Sequence, residues 1–187
     1  MSDKDFVEKY LKDFSSLIKP NDEIIEKILL IKNTLQDIKK NNSKAMIFGN
    51  GGSAAIASHV SIDLTKNAGI RTTNYNEADL LTCFSNDYGY DLWSQKALEF
   101  YSKPGDVVVL ISSSGNSMNI VNAAKYSKSN NLQTITFTGF DKSNKTRKIG
   151  DINLWVDSKA YNIVEMTHHI WILSIVDMII GNAEYSA

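Results

Sequence analysis

The sequence has little cysteine and almost no excess charge, and each scarcity excludes a class of protein. Its 187 residues include one cysteine, Cys83, so an internal disulfide and a cysteine-rich zinc site are both excluded. The formal net charge is −1, and no basic stripe stands out along the chain. Binding that follows a nucleic-acid backbone needs such a stripe, so we expect no nucleic-acid partner.

Long hydrophobic runs are also missing. The longest apolar stretch, residues 170–180, is interrupted by Ser174 and Asp177 and is too short to cross a bilayer, so it predicts a buried helix. The first residues, MSDKDFVEKY, are charged and lack the apolar segment of a secretion signal. We therefore expect a cytoplasmic protein with no membrane partner. The hydrophobic content of 43% is ordinary for a globular protein, and the length predicts one domain over residues 1–187.

The sequence pattern divides that domain into two parts. Residues 1–42 carry apolar residues at helical spacing, and Pro20 followed by Asn21 and Asp22 predicts that one helix stops and a second begins. In residues 43–187, short apolar runs alternate with helical patterns. These runs occupy residues 45–48, 107–111, 134–138 and 152–156, with a weaker one at 70–75. Such alternation is typical of parallel βαβ units, so we predict an α/β core with a doubly wound parallel sheet behind two N-terminal helices.

Two loops rich in small residues follow predicted strands. The glycine loop, GNGGS at residues 49–53, follows the first strong run, and the serine loop, SSSGNS at residues 112–117, follows the second. Ligands of doubly wound sheets lie beyond the carboxyl ends of the strands, where helix N-termini present free N–H groups. Glycine lets the backbone approach a ligand closely, and serine hydroxyls suit phosphate oxygens. The two loops together therefore predict binding of a phosphate ester.

A dinucleotide site is the competing interpretation, because Gly49, Gly51 and Ala54 fit the spacing of its glycine fingerprint. That fingerprint expects an acidic residue about 20 positions later, at the end of the next strand. The corresponding segment, GIRTTNYNEAD, has no acid at the strand end, and Glu77 comes late, in a loop. The serine loop also has no role in that scheme, so we expect no nucleotide cofactor.

The motif GNGGSAA with a later His and Asp, the segment NDYGY at residues 86–90, and ISSSGNS at residues 111–117 resemble the sugar isomerase (SIS) domain. The resemblance is closest to the bacterial phosphoheptose isomerases and covers most of the chain. It implies a five-stranded parallel sheet flanked by helices, and a homotetramer with active sites at subunit interfaces. It also implies an aldose–ketose isomerase that converts sedoheptulose 7-phosphate to D-glycero-D-manno-heptose 7-phosphate for surface glycan synthesis.

The same resemblance assigns roles to particular residues. The substrate-binding positions that it implies are Asn50, Gly51, Gly52, Ser53, Asp87, Ser112, Ser113, Ser114, Ser117 and Asn162, with the four serines of the serine loop on the phosphate. Isomerisation through an enediol needs a base that carries a proton between C1 and C2. Asp63 matches the family's base, and Glu165 with either His168 or His169 would assist it.

The sequence departs from the family at its metal and acid–base positions. The family has a His and a Glu four residues apart as zinc ligands, and here they are His59 and Asp63, which share one helix face. Glu165 takes the place of a family Gln, so the resemblance implies a zinc site at His59, Asp63 and Glu165. The family's last histidine is replaced by Leu173, or by Ile172 if the alignment shifts by one residue. Neither side chain binds metal or moves protons.

Three functions remain open at this point. The first, which we favour, is the heptose phosphate isomerase, with His169 as the candidate substitute for the lost histidine. The second is a non-catalytic SIS protein that binds a phosphosugar as a sensor or regulator. The third is an isomerase that acts on a different sugar phosphate.

Overall fold

The computed structural model describes residues 1–185 and, within that range, contains eight helices and five strands. In chain order the elements are α1 (Asp3–Leu17), α2 (Asp22–Lys40), β1 (Ala45–Gly49), α3 (Gly52–Lys66), β2 (Thr72–Asn74), α4 (Ala78–Tyr88), α5 (Trp93–Tyr101), β3 (Val107–Ser112), α6 (Met118–Ser129), β4 (Gln133–Thr138), α7 (Lys145–Ile149), β5 (Ile152–Trp155) and α8 (Tyr161–Ile180).

All five strands form one parallel sheet in the order β2-β1-β3-β4-β5, which confirms the predicted α/β fold. The chain leaves β1 toward one edge of the sheet and leaves β3 toward the other, so the strand order reverses between these two neighbours. Open α/β sheets bind ligands at such a reversal, beyond the carboxyl ends of the strands. The register there pairs Gly49 at the end of β1 with Ile111 near the end of β3.

Helices cover both faces of the sheet, which explains why the strands are apolar along their whole length. Ile47 and Val109 point into a core formed with α2, α3 and α8. Phe48 and Leu110 point the other way, into a core formed with α5 and α6. The helices that follow β1 and β3 therefore lie on opposite faces, and both begin at the carboxyl edge of the sheet.

The two N-terminal helices form as their capping residues predict. Ser2 and Asp5 make a reciprocal capping box at the start of α1, and the Asn21 side chain accepts the Ile24 N–H at 3.0 Å at the start of α2. Helix α2 buries Ile31, Leu35 and Ile38 against the sheet, whereas no residue of α1 is buried.

Helix α8 is long and apolar enough, by length and composition alone, to cross a membrane. In the fold it is the central helix of one core: Val164, Ile172 and Val176 pack with α2 and α3 against the sheet. Its opposite side remains partly exposed, at Met166, Ile170 and Met178. The predicted buried helix at residues 170–180 is the second half of α8.

Candidate active site

The glycine loop and the serine loop meet at the strand-order reversal and enclose one pocket, which we call the serine-loop pocket. Its lining residues are Asn50, Ser53, Ile111, Ser112, Ser113, Ser114, Ser117, Tyr161 and Glu165. The structure thus brings together seven of the predicted site residues, six from the two loops and Glu165 from the first turns of α8. Tyr161, at the start of α8, also lines the pocket.

The serine loop presents hydroxyls that the protein leaves partly unused. Ser112 Oγ accepts the Gly115 N–H, and Ser114 Oγ accepts the Asn116 N–H, both at 3.2 Å, so each hydroxyl still has its own proton to donate. Ser113 Oγ is buried and has no partner among the residues that the structure describes. A buried hydroxyl without a partner costs stability, so its position is best explained by an acceptor that the protein does not supply.

Ser117 stands at the N-cap position of α6, and its side chain makes no capping bond. The first N–H groups of a helix have no partner within the helix and carry its partial positive charge. Ser117 lines the same pocket, directly before those N–H groups in the chain. Hydroxyls and helix N–H groups together form an uncharged anion site, which is how a phosphate is commonly bound.

Two residues of the glycine loop, Gly51 and Gly52, shape the surroundings of the pocket without lining it. Gly51 has φ +55° and ψ −122° at the N-cap of α3, a conformation that side chains oppose. Gly52 lies directly beneath Glu165: a Cβ on Gly52 would stand 2.2 Å from Glu165 Oε2. The absence of a side chain at position 52 therefore creates the space that the Glu165 carboxylate occupies.

Burial raises the pKa of Glu165 above its ordinary value, and no cation or hydrogen bond opposes the shift. Desolvation favours the neutral form of a carboxyl group, so its conjugate base holds a proton more strongly than an exposed glutamate does. A raised pKa is a property that general acid–base chemistry uses in a carboxyl group. Glu165 supplies the carboxyl group among the residues that line this pocket.

Asn50 is held in the pocket by two residues that the sequence analysis missed. Its amide pairs reciprocally with the Asn119 amide: Asn50 Nδ2 donates to Asn119 Oδ1 at 3.0 Å, and Asn119 Nδ2 donates to Asn50 Oδ1 at 2.9 Å. Tyr90 donates its hydroxyl to the same Asn50 oxygen at 3.1 Å. Asn119 is 1% exposed and comes two residues after the serine loop. A buried amide so close to a ligand loop was the signal that could have identified it.

His59, Asp63 and His169 form a second cluster, outside the lining of the serine-loop pocket. His59 Nε2 lies 3.2 Å from Asp63 Oδ2, and His59 Nδ1 lies 2.9 Å from His169 Nε2. If His59 donates from Nε2 to the carboxylate, its Nδ1 accepts the proton of His169 Nε2, and every contact is satisfied in neutral histidines. Burial, and then the nearby His59, lower the pKa of His169 and favour that neutral form.

These contacts bear on the predicted zinc site. Both ring nitrogens of His59 are engaged by protein groups, and Glu165 lines the pocket rather than joining His59 and Asp63. Within residues 1–185, no group of three or more His, Cys, Asp or Glu side chains is arranged to hold a metal ion. The side chains described here are not arranged as a set of zinc ligands, and we derive no step through a metal.

Sequence comparison places these features in a known family. A family model described as the SIS domain matches residues 9–139. A probable phosphoheptose isomerase of Thermoplasma acidophilum is 37% identical over 152 residues, which are 77% of this chain and 82% of the relative. A phosphoheptose isomerase of Aliarcobacter butzleri is 38% identical over 137 residues, or 69% of this chain and 71% of the relative. The chain belongs to the SIS domain family.

Solved structures agree with that assignment. The phosphoheptose isomerase from Neisseria gonorrhoeae is similar with a TM-score of 0.87 and 25% sequence identity, and the alignment covers 95% of this chain and 99% of that one. The five-stranded sheet and its flanking helices are therefore those of an SIS domain along nearly the whole described chain.

The remaining predicted residues of this SIS domain do not line the serine-loop pocket. Asp87, on α4, is exposed and contacts Asn86 and Cys83, and Asn162 is exposed at the start of α8. Leu173 packs at the edge of the core beside α1. Gly52 supports Glu165 without itself lining the pocket.

His168 lies in the core of the SIS domain and not in a site. It is fully buried, one ring nitrogen, Nε2, lies 3.0 Å from the Thr138 carbonyl oxygen, and Nδ1 has no partner in the described chain. Burial lowers the pKa of His168 to about 4. Successive residues of a helix point about 100° apart, which is why His168 faces the core while His169 reaches His59.

The Asn50–Asn119 pair gives a first prediction. Replacing Asn119 with Ala removes both amide contacts to Asn50, so Asn50 loses its fixed orientation toward the substrate. We expect kcat/KM of isomerisation to fall roughly tenfold, the equivalent of one lost hydrogen bond of about 1.4 kcal/mol. Asn122→Ala, on the same helix, loses only a contact to the Asp91 carbonyl and is the matched control. Equal activity of the Asn119 variant and the control would contradict the positioning role.

His168 gives a second prediction, about stability. Its folded pKa of about 4 lies below the unfolded value of 6.5, so the unfolded chain binds more protons between these values. The free energy of unfolding should therefore fall as the pH falls below 6.5, by about 2 kcal/mol at pH 5 from this residue. Urea unfolding of the wild type and of His168→Gln at pH 7 and pH 5 measures it. The variant should lose most of this pH dependence, and an unchanged dependence would show that another group is responsible.

Proposed function

We propose that this protein interconverts sedoheptulose 7-phosphate and D-glycero-D-manno-heptose 7-phosphate, in the cytoplasm, and that the product serves surface glycan synthesis. The broader activity is that of its family relatives: the chain is a sugar-phosphate isomerase. The observation that carries the proposal is the shared pocket, in which an uncharged phosphate site and a carboxyl group of raised pKa face one another. The exposed thiol of Cys83 suits a reducing compartment.

The serine loop would bind the substrate phosphate. Ser112, Ser113 and Ser114 donate their hydroxyl protons to its oxygens, and the N–H groups at the start of α6 add their partial positive charge. Ser113 then gains the acceptor that it lacks within the protein. Fixing the phosphate orients the other end of the sugar chain, where the carbonyl and the reacting hydroxyl are.

Glu165 would transfer the proton. Its carboxylate removes a proton from C1 of the ketose, and the C1–H electron pair forms the C1–C2 double bond of an enediol as the C2 carbonyl oxygen takes up a proton from water. The same carboxyl group returns its proton to C2, and the O1 proton passes to water as the aldehyde forms. Asn50, Ser53 and Tyr161 supply polar groups around these oxygens. Every proton removed is returned, so the step is balanced.

Asp63, which matches the family's base, lies in the second cluster with His59 and His169 and would contribute to the reaction from there. In this chain the three side chains are linked by hydrogen bonds and lie beside an apolar groove that is lined by Tyr10, Leu11, Phe14, Met166, His169, Ile170 and Leu173. We propose that copies of the chain cover this groove and form a homotetramer. The cluster would then face the neighbouring copy rather than solvent.

The exposed apolar surface supports that assembly. Phe6 and Leu11 of α1 are 53% and 59% exposed, and Ile170 of α8 is 43% exposed. Helix α1 is amphipathic in sequence yet buries no residue within the protomer. Contiguous apolar surface of this kind on a folded chain marks an interaction surface.

The isomerase assay is the third prediction. Wild-type protein incubated with sedoheptulose 7-phosphate should form the aldose phosphate, detected by NMR. Glu165→Gln removes the proton carrier while keeping the shape of the side chain, so kcat should fall by about 10²- to 10⁴-fold with a small change in KM. Asp177→Asn, at a half-buried position later in the same helix, is the matched control and should retain full activity.

Three outcomes would contradict parts of this proposal. A large loss of kcat in Asp63→Asn with full activity in Glu165→Gln would assign the base to the second cluster. Thermal stabilisation by sedoheptulose 7-phosphate without any product from several sugar phosphates would identify a phosphosugar sensor. If the protein turns over only another sugar phosphate, it is still an isomerase, but its substrate is not the one proposed.

The assembly is the fourth prediction. Light scattering should give a tetramer for the wild type at micromolar concentration. Leu11→Glu places a charge in the apolar groove and should dissociate the assembly, whereas Lys12→Glu on the neighbouring exposed position should leave it intact. A monomeric wild type, or equal masses for both variants, would contradict the proposed surface.

A further inference from the structure

A second cavity, of about 300 Å³, lies between the α1–α2 turn, the end of β5 and the segment around α7. None of its lining residues lines the serine-loop pocket. Its size is at the lower end of the range of small-molecule sites, about 300–1,000 Å³, and is enough for a compact metabolite. The isomerase proposal assigns it no role.

Positive charge is concentrated around this cavity. Four cationic side chains line it, Lys19, Lys27, Lys142 and Arg147, against two acidic ones, Glu23 and Asp157. The local excess of two positive charges contrasts with the formal net charge of −1 for the whole chain. Lys27 is paired with Glu23 at 2.6 Å, so the excess lies mainly on the other three cations.

Arg147 is fixed in place before any ligand arrives. Its Nε donates to Asn153 Oδ1 at 3.0 Å, and its Nη1 donates to the Lys142 carbonyl oxygen at 2.7 Å. The guanidinium group lies 5.1 Å from the centre of the Trp155 ring. Two of its five N–H donors are thus used within the described chain, and the others remain for an anion that binds in two-pronged fashion.

Trp155 and Trp171 give the cavity an apolar wall. Lys142 Nζ lies 5.8 Å from the Trp155 ring centre, so the ring carries two cations, Lys142 and Arg147. Cations held on an aromatic face keep their charge while their mobility is reduced. The Trp155 indole N–H is buried and has no acceptor within residues 1–185.

We propose that this cavity is a second anion site, which binds a small phosphate-bearing molecule with two or more negative charges. Its charge excess matches a phosphate monoester or a diphosphate, Arg147 provides the two-pronged contact, and Lys19 and Lys142 act as point charges. The tryptophan wall accommodates the uncharged part of the molecule. The site differs in chemistry from the serine-loop pocket, which binds phosphate with hydroxyl and N–H groups alone. It stands independently of the isomerase proposal.

Tryptophan fluorescence and calorimetry test this site, and give the fifth prediction. Pyrophosphate is titrated into the full chain at constant ionic strength, and two of the chain's three tryptophans line the cavity. The wild type should show a saturable fluorescence change. Lys142→Gln and Arg147→Gln should each weaken binding about tenfold or more, because each removes a charged contact. Trp155→Phe should abolish most of the fluorescence change while retaining the heat of binding.

Two control variants separate this site from other anion binding. Lys125 is an exposed lysine on α6 that does not line the cavity. Lys125→Gln makes the same charge change there and should bind like the wild type. Ser114→Asp puts a negative charge into the serine-loop pocket and should leave the fluorescence titration unchanged. Thermal melting checks that all variants fold. If the Arg147 variant does not fold, the Lys142 variant still tests the site, because the Lys142 side chain is exposed.

Three results would overturn the proposal. One is the absence of a saturable change in the wild type. Another is equal weakening by Lys125→Gln and Lys142→Gln, which would show non-specific charge attraction. The last is loss of the titration in Ser114→Asp alone, which would place the bound anion in the serine-loop pocket.

Discussion

The parallel pairing of β1 with β3 is the constraint on which the rest of this structure depends. The chain crosses from β1 to one edge of the sheet and from β3 to the other, and crossovers of the same hand then place α3 and α6 on opposite faces. Both helices nevertheless start at the same edge, one strand spacing apart. Two loops that are separated by about sixty residues in sequence thereby become the two walls of one pocket.

The third wall comes from α8, and the glycine loop determines how closely that helix approaches. Because position 52 carries no side chain, Glu165 rests against the backbone at the start of α3, where water has limited access. The raised pKa of Glu165 follows from that approach and from the absence of a compensating cation. Packing, and not a charged partner, therefore raises the pKa of this carboxyl group.

The local parts of the fold and site could be predicted from sequence because they depend on neighbours along the chain. The strands follow from their apolar runs, the break at Pro20 from backbone chemistry, and the two ligand loops from their composition. Contacts between distant segments could not be predicted. The pairing of Asn50 with Asn119, and of His59 with His169, depends on the rotation and spacing of packed helices, which no local pattern encodes. His168 faces the core and His169 faces His59 because adjacent residues of a helix point about 100° apart.

The contact between Gly52 and Glu165 also restricts how this protein can change over evolutionary time. A side chain at position 52 would overlap the carboxylate, so it becomes tolerable only after position 165 has shortened or turned away. Shortening position 165 first would withdraw the carboxyl group from the pocket before any compensating change exists. The two positions are therefore coupled, and each restricts the substitutions that the other can accept.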